Sequence, residues 1–348
     1  MPSCKKEMDA YVGALCQEIE SYQRLPKIQI DTIFFGGGTP TLLGVEHLCA
    51  LLSKIRSVFI VSSDTEISFE MNPATATEDM LRKLFLAGFN RLSIGVQSLS
   101  DTELQTLGRA HTAHEALQSI AWAKSAGFQN INVDVMYAIP GQTRESFRKT
   151  LTTLHSLDIP HISAYGLILE EGTKFWDNRG TLVFASDEDE MSMYEDALSI
   201  LSKAGYEHYE ISNYAKDGYV CRHNMKYWQL KPYIGIGVAA HSYYDGIRFE
   251  NEPNIDAYIS YPFSVKKIEE NPTNEDLAEE YAMLGLRTKE GISLTVYEHL
   301  AGHPFAQGKQ DILLRCEGEG YLQISGDNIR FTDKGFGVSL SILAEFLS

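Results

Sequence analysis

The amino-acid sequence predicts an α/β fold in two parts. Residues 1–250 are expected to form a partial parallel (β/α)6 barrel that lacks its first strand, and residues 251–348 a C-terminal winged-helix-like α+β domain. Three observations predict this architecture. Apolar runs alternate with helical patterns over the first two-thirds of the chain, three helices end in the same motif, and the pattern changes to helices and a hairpin after residue 260.

Five short apolar runs, rich in β-branched and aromatic residues, predict the strands of the sheet. They occupy residues 31–38, 66–73, 91–98, 130–141 and 161–172. Residues 6–24 carry apolar positions at helical spacing before the first of these runs. We therefore expect the chain to open on a helix whose partner strand is missing.

The helix ends repeat a motif of alanine, glycine and an aromatic residue. It occurs in LAGFNRLSI (86–94), SAGFQNINV (125–133) and KAGYEHYEI (203–211), each time just before a strand. Gly88, Gly127 and Gly205 fit the left-handed position that ends a helix. The third copy predicts a sixth strand at about 207–212, so one supersecondary unit is used repeatedly.

Composition and charge exclude several classes of function. The chain has 348 residues, 44% of them hydrophobic, and 47 acidic against 30 basic residues give a formal charge of −17. This balance argues against nucleic acid or an anionic membrane as the main partner. No apolar run approaches the length of a membrane span, and the first twenty residues lack a signal-peptide core. We expect a cytoplasmic protein.

Polar residues follow the predicted strands in turn, where active sites of parallel βα folds gather. Taken singly, each fits a solvated loop or a helix cap, and the glycine run fits a tight turn without a ligand. Together they predict a rim of hydrogen-bonding groups for a zwitterionic or ribose-bearing ligand. The residues are Gly36, Gly37, Gly38, Thr39, Glu70, Asn72, Gln97, Arg109, Asp134 and Tyr165.

Five motifs in this order carry a family resemblance: FFGGGTPT, SFEMNP, GVQS, LGRAH and VDVMYAIPGQT. The chain resembles the radical SAM enzymes of the oxygen-independent coproporphyrinogen III oxidase group over nearly its whole length. The resemblance implies a radical SAM-type barrel whose glycine strand end cradles the methionine part of S-adenosylmethionine. It implies the following S-adenosylmethionine-binding residues: Gly37, Gly38, Thr39, Glu70, Gln97, Arg109 and Asp134.

A second motif narrows the resemblance. His223, Asn224, Tyr227 and Trp228 form His-Asn-x-x-Tyr-Trp, which resembles the motif that separates HemW-type heme chaperones from the oxidases. It implies heme as the ligand, His223 as the iron ligand and an unidentified heme-acceptor protein as partner. The alternative is a histidine that bonds the backbone under aromatic rings. His241 is a second candidate that we expect to be structural.

The cysteines depart from the family pattern. The complete family holds a 4Fe-4S cluster with Cys-x-x-x-Cys-x-x-Cys, but the five cysteines here stand at 4, 16, 49, 221 and 316. We therefore expect that the cluster cysteines are absent because the sequence starts downstream of the cluster loop. A start codon assigned too far downstream or a chain that was cut would explain this start, and we prefer both explanations to a degenerate family member. Such a chain is expected to bind S-adenosylmethionine weakly and not to cleave it reductively.

Three hypotheses of function remain. The first is a heme chaperone on a radical SAM scaffold, the second an oxygen-independent coproporphyrinogen III oxidase, and the third a degenerate, non-catalytic scaffold. A winged-helix module often binds DNA, but residues 273–348 carry six basic and twelve acidic residues, a net charge of −6. This charge argues against DNA for the C-terminal domain.

Overall fold

The structure is a computed structural model that describes residues 5–25, 27–262, 266–268 and 272–346. The chain folds into two compact units. The first comprises residues 1–33, 43–66 and 222–348, and the second residues 34–42 and 67–221. The domain boundary after residue 250 stays a prediction.

The helices match the predicted alternation with strands. None of them, within the described ranges, has the length and apolar character needed to cross a bilayer. They are α1 (Lys5–Ser21), α2 (Val45–Val58), α3 (Glu78–Ala87), α4 (Asp101–Thr106), α5 (Ala113–Ala126), α6 (Arg144–Ser156), α7 (Lys174–Asp177), α8 (Asp187–Lys203), α9 (Arg222–Trp228), α10 (Ile255–Ser260), α11 (Asn274–Gly285), α12 (Leu294–Ala301), α13 (Gln310–Gly318), α14 (Asp333–Phe336) and α15 (Ser339–Phe346).

The strands belong to three sheets. They are β1 (Gln29–Phe35), β2 (Ile60–Met71), β3 (Arg91–Gln97), β4 (Asn130–Tyr137), β5 (His161–Gly166), β6 (Glu207–Glu210), β7 (Asn213–Ala215), β8 (His241–Tyr244), β9 (Ile247–Asn251), β10 (Lys266–Ile268), β11 (Ile292–Ser293), β12 (Leu322–Ser325) and β13 (Asn328–Phe331).

The main sheet has seven strands in the order β1-β2-β3-β4-β5-β7-β6. The pairs β2–β3, β3–β4 and β4–β5 are parallel, which confirms the predicted incomplete βα barrel. The predicted sixth strand exists as β6, but it does not pair with β5. The short strand β7 lies between them and is antiparallel to both. Three residues are too few to show a strand periodicity in the sequence, so β7 was not predicted.

The repeated glycine-aromatic motif joins the helices to the sheet. Gly88 and Gly127 end α3 and α5 in the left-handed conformation, with φ of 103° and 109°. The aromatic residues that follow, Phe89 and Phe128, are buried on either side of Phe69, with ring centroids 5.3 and 5.9 Å from its ring. Each motif therefore ends a helix and anchors it over the next strand.

The strand β3 is buried along its whole length. Leu92, Ile94 and Val96 are fully buried, as expected of a parallel strand covered by helices. The alternate positions Ser93 and Gln97 are polar and hydrogen-bond to residues of β4 and β5. Since side chains alternate along a strand, this second face of the sheet carries the polar groups.

The C-terminal region contains α11 to α15 and a small antiparallel sheet in the order β11-β13-β12. The predicted hairpin is confirmed as β12 and β13, whose turn includes Gly326 with φ of 59°. The two-residue strand β11 adds to β13 and was not predicted. The α+β composition of this region agrees with the expected class.

We predict that Gly127→Ala destabilises the protein by about 1–3 kcal/mol, because the residue keeps a left-handed backbone that disfavours a side chain. The added Cβ would also lie 2.8 Å from the ring of Phe85. The matched control is Gly13→Ala within α1, where nothing lies within 4 Å of the added Cβ. Helix propensity makes that change neutral or stabilising. Urea unfolding of both variants measures the difference, and equal midpoints would contradict the role of Gly127.

Candidate functional site

Four polar side chains lie at the carboxyl ends of β2 to β5. Glu70 is the penultimate residue of β2, Gln97 ends β3, Asp134 lies within β4 and Tyr165 is the penultimate residue of β5. In the registers of these parallel strands, Glu70 pairs with Ser93 and Asp134 with Ser163. The parallel direction places the ends of the strands at one edge of the sheet, so these side chains come together there.

The hydroxyl of Tyr165 donates a hydrogen bond to Oε1 of Gln97 over 3.0 Å. Gln97 is only 4% exposed and has φ of 66°, an unusual value for a residue with a side chain. Strained backbone of this kind persists only where the surrounding contacts hold it.

A buried carboxylate supports this end of β3. Glu103 accepts hydrogen bonds from Oγ of Ser98 at 2.6 Å and from Nε2 of Gln142 at 2.9 Å, and a third from the hydroxyl of Ser146. These bonds link the loop after β3 to the loop after β4. Ser98 directly follows Gln97, so the network fixes the chain where its backbone is strained.

The two carboxyl groups of the strand ends influence each other. Burial, and next the charge of Asp134, raise the pKa of Glu70 to about 7, and the N–H of Gly37 opposes the shift by donating to its carboxylate. Burial also raises the pKa of Asp134 against the hydrogen bonds it accepts. The site therefore holds carboxyl groups whose charged forms are poorly solvated, and a cation placed between them would be stabilised.

Arg109 belongs to the same neighbourhood. Burial and then Asp134 raise the pKa of the Tyr165 hydroxyl, and the positive charge of Arg109 opposes this rise. Arg109 follows α4 and is half-buried. A guanidinium near Tyr165, on a rim that also carries two carboxyl groups, suits a ligand with both an amine and a carboxylate.

The glycine run lies next to these groups. Gly36, Gly37 and Gly38 are exposed, and Oγ1 of Thr39 accepts a hydrogen bond from Nδ2 of Asn72 at 2.8 Å. A Cβ on Gly36 would lie 3.1 Å from Cδ of Glu70, whereas nothing lies within 4 Å of a Cβ built on Gly37. The loop thus packs closely on Glu70 at its first glycine and stays open at the second.

A buried polar network below the strand ends was not predicted. Nδ2 of Asn132 donates to Ser93 at 2.7 Å and to Asp134 at 2.8 Å. Oδ1 of Asn132 lies 2.6 Å from Nδ1 of His161 and accepts from Ser163 at 3.1 Å. The signal in the sequence was the alternation of polar and apolar residues in NINVDV, which marks a polar inner face.

The other predicted site, His223, lies in the first turn of α9. Its Nδ1 lies 2.8 Å from Oγ1 of Thr32, and its Nε2 lies 3.1 Å from the hydroxyl of Tyr227. Its backbone N–H donates to the buried carboxylate of Glu66 over 3.0 Å, and that of Arg222 donates to the same carboxylate over 3.2 Å. Glu66 therefore anchors the start of α9 and, with it, the imidazole.

Aromatic rings surround this histidine on one side. The Tyr227 ring meets those of His223 and Tyr233 edge-on, with centroids 5.2 and 4.8 Å apart, and Tyr227 is 39% exposed. Trp228 packs differently, with the guanidinium carbon of Arg287 5.8 Å from its ring centre. Asn224 is half-buried in the same helix. The structure thus groups His223 with Tyr227 and turns Trp228 toward Arg287.

His241 starts β8 and is exposed, with Nε2 4.0 Å from a carboxylate oxygen of Glu250.

Cys4 lies outside the described residues. Cys16 and Cys49 are free, and burial raises the pKa of each thiol, which disfavours the thiolate that metals bind. The described part of the chain contains no group of three possible metal ligands. The assignments of the heme-motif and strand-end residues as ligand contacts stay predictions.

We predict that Glu70→Gln stabilises the protein increasingly as the pH rises from 5 to 7.5. Because the folded-state pKa of Glu70 is about 7 against 4.5 in the unfolded chain, the folded state retains the proton longer. The free energy of unfolding of the wild type therefore falls by up to about 3 kcal/mol as the pH rises through this range. The glutamine variant, which has no carboxyl group to ionise, lacks that loss. Urea unfolding at a series of pH values measures it.

The control is Glu115→Gln. Hydrogen bonds from Thr112 hold the pKa of Glu115 below its usual range, so it is ionised in both states above pH 5. Its effect on stability should therefore be constant from pH 5 to 8. A constant offset for Glu70→Gln over the same range would contradict the raised pKa.

Two family models match the chain. Residues 15–154 match the radical SAM superfamily, and residues 273–338 match the HemN C-terminal domain. The structure is also similar to that of the radical SAM enzyme coproporphyrinogen III oxidase (HemN) from Escherichia coli. The TM-score is 0.84 at 21% identity, over 99% of this chain and 84% of that one. At this identity the likeness shows the fold.

Curated relatives define the family more narrowly. The heme chaperone HemW of Lactococcus lactis subsp. lactis (strain IL1403) is 34% identical over 98% of this chain and 90% of the relative. The heme chaperone HemW of Bacillus subtilis (strain 168) is 35% identical over 98% of this chain and 92% of the relative. With this similarity over nearly the full length of both relatives, the chain belongs to the HemW family of the radical SAM superfamily.

Proposed function

We propose that this protein binds heme through His223 and passes it to an acceptor protein. The observation that carries the proposal is the position of the His223 ring. Thr32 fixes one ring nitrogen, and the other faces the hydroxyl of Tyr227, a side chain that is partly open to solvent. In this proposal heme is cargo, which the chain holds and releases.

The hydrogen bonds of His223 are compatible with a tautomer suited to iron. With the proton on Nδ1, the ring donates to Oγ1 of Thr32, and Nε2 accepts from the Tyr227 hydroxyl. Iron ligation requires a neutral imidazole with one lone pair available, and a second bond that orients the ring strengthens such ligands. The Tyr227 hydroxyl must move aside for Nε2 to reach the iron.

The aromatic side chains provide a surface for the porphyrin. The exposed ring of Tyr227, backed by Tyr233, offers an apolar face next to the histidine. The family supports heme as the cargo, because the relatives matched over nearly their full length are named heme chaperones. The acceptor is a partner that the name of a heme chaperone implies and that remains to be identified by experiment.

We also propose that the polar residues at the carboxyl ends of the strands, called here the strand-end rim, bind S-adenosylmethionine. Glu70 and Asp134 would hold its amine and neighbouring positive charge, Arg109 its carboxylate, and Gln97 its polar nucleoside edge. Gly37, Gly38 and Thr39 would line the amino-acid end. In radical SAM proteins this cofactor, with a 4Fe-4S cluster, supplies radical chemistry. The residues of this chain supply binding and orientation, and the sequence contains no cluster motif.

We predict that hemin added to the full chain produces a Soret band that saturates, and that His223→Ala abolishes it or weakens hemin binding at least about tenfold. His241→Ala is the matched control, since this histidine is exposed and lies 4.0 Å from Glu250. It should titrate like the wild type. Loss of the band in His241→Ala and retention in His223→Ala would contradict the assignment.

Two further variants extend this heme titration. Tyr227→Phe removes the hydroxyl that occupies Nε2 while keeping the ring, so hemin should bind as tightly as in the wild type or more tightly. Thr32→Val removes the partner of Nδ1 and should weaken binding. If neither hemin nor S-adenosylmethionine binds the full chain, the scaffold hypothesis is favoured. Conversion of coproporphyrinogen III by the chain would instead support the oxidase hypothesis.

We predict that Arg109→Met weakens the binding of S-adenosylmethionine by about tenfold or more, because a charge-assisted bond to the ligand carboxylate is lost. The control is Arg82→Met on α3, an exposed arginine paired with Asp79 at 2.9 Å. It should leave the affinity unchanged. Isothermal titration calorimetry measures both, and equal affinities for the two variants would contradict the role of Arg109.

A further inference from the structure

Three polar residues form a row across neighbouring strands, away from the strand ends. Ser68 of β2 pairs in register with Arg91 of β3, and Arg91 pairs with Asn130 of β4. Ser68 lies two residues before Glu70 on β2, Arg91 two before Ser93 on β3, and Asn130 four before Asp134 on β4. Because side chains alternate along a strand, all three project from the face that carries these polar groups. The row lies at the level where β3 and β4 begin.

Each member of the row has a buried polar atom without a partner. Ser68 and Arg91 are 0% and 2% exposed. Oγ of Ser68, Nε of Arg91 and Oδ1 of Asn130 have no hydrogen-bond partner among the described residues. Buried polar atoms are nearly always bonded, and each exception calls for an explanation. Three exceptions in one registered row indicate a common missing partner.

The charge of Arg91 defines the chemistry of that partner. A guanidinium stays protonated in proteins, so it cannot escape burial by losing its proton. Asp134 interacts with this charge, but its oxygens already accept bonds from Asn132 and Ser93. Burial, and next the charge of Arg91, hold the pKa of His161 well below its ordinary value, so that ring adds no further charge.

We propose that this row binds a small oxyanion, the carboxylate or phosphate group of a ligand. The planar fork of a guanidinium matches two oxygens of such a group, and the Ser68 hydroxyl can donate to an oxygen beside it. The amide of Asn130 can turn its NH₂ toward the same group, because the two ends of the amide are interchangeable in outline. Neither heme nor S-adenosylmethionine is needed for this binding.

The test is the thermal unfolding of the full chain in chloride, inorganic phosphate and acetate at matched ionic strength and pH. An anion that binds the folded state raises Tm in a saturable way. We expect phosphate or acetate to raise Tm above its value in chloride, and Arg91→Met to remove the difference. The arm that saturates at the lower concentration distinguishes phosphate from carboxylate. By calorimetry, Ser68→Ala should bind the same anion about tenfold more weakly.

Two outcomes would overturn the proposal. Equal Tm values for the wild type in all three salts would show that the row holds only water. Loss of the anion effect in Arg109→Met with its retention in Arg91→Met would place the anion at the strand-end rim instead. If Arg91→Met does not fold, the wild-type salt series and the calorimetry of Ser68→Ala still decide. None of these readouts uses heme or S-adenosylmethionine, so failure of the proposed function would be seen separately.

Discussion

The polar inner face of β3, β4 and β5 is the constraint on which the sheet and its candidate site depend. Parallel strands are usually apolar on both faces because helices or a core cover them. Here one face is apolar, with Leu92, Ile94 and Val96 under the helices, and the other carries polar groups that must satisfy one another. The strand register brings these groups within hydrogen-bonding distance, so sheet pairing and site geometry cannot change independently.

The inner network links the candidate ligand residues to the rest of the second unit. From Asp134 it runs through Asn132 to His161, whose Nε2 lies 2.8 Å from the hydroxyl of Tyr209. That oxygen accepts the backbone N–H of Cys221 over 3.3 Å. Asp134 is thus held by neutral amide and hydroxyl donors rather than by an ion pair. These bonds fix the position of the Asp134 carboxylate and oppose the rise in its pKa that burial causes.

The sequence allowed prediction of the features that rest on local chemistry. The left-handed glycines, the buried aromatic after each of them and the order of the five main strands all follow from short patterns. The contacts that complete the sites do not. Thr32 and His223 lie 191 residues apart and meet through the fold alone, and β7 is too short to have a period. The row of Ser68, Arg91 and Asn130 depends on the register between three strands, and register cannot be predicted from any single stretch of sequence.

The environments of three histidines differ in how readily a ring nitrogen could be released to a ligand. His161 is fully buried with both ring nitrogens bonded in the network, so ligation would break one of these bonds and open the interior. His111 is also buried and bonds the carbonyl of Val96 at 3.2 Å. His223 differs because its outer nitrogen meets a hydroxyl on a partly exposed ring. Replacing the hydrogen bond to the Tyr227 hydroxyl costs on the order of 1 kcal/mol, whereas Thr32 and Glu66 keep the ring and its helix in place. Anchored on one side and released at small cost on the other, the imidazole suits the heme binding and release that we propose.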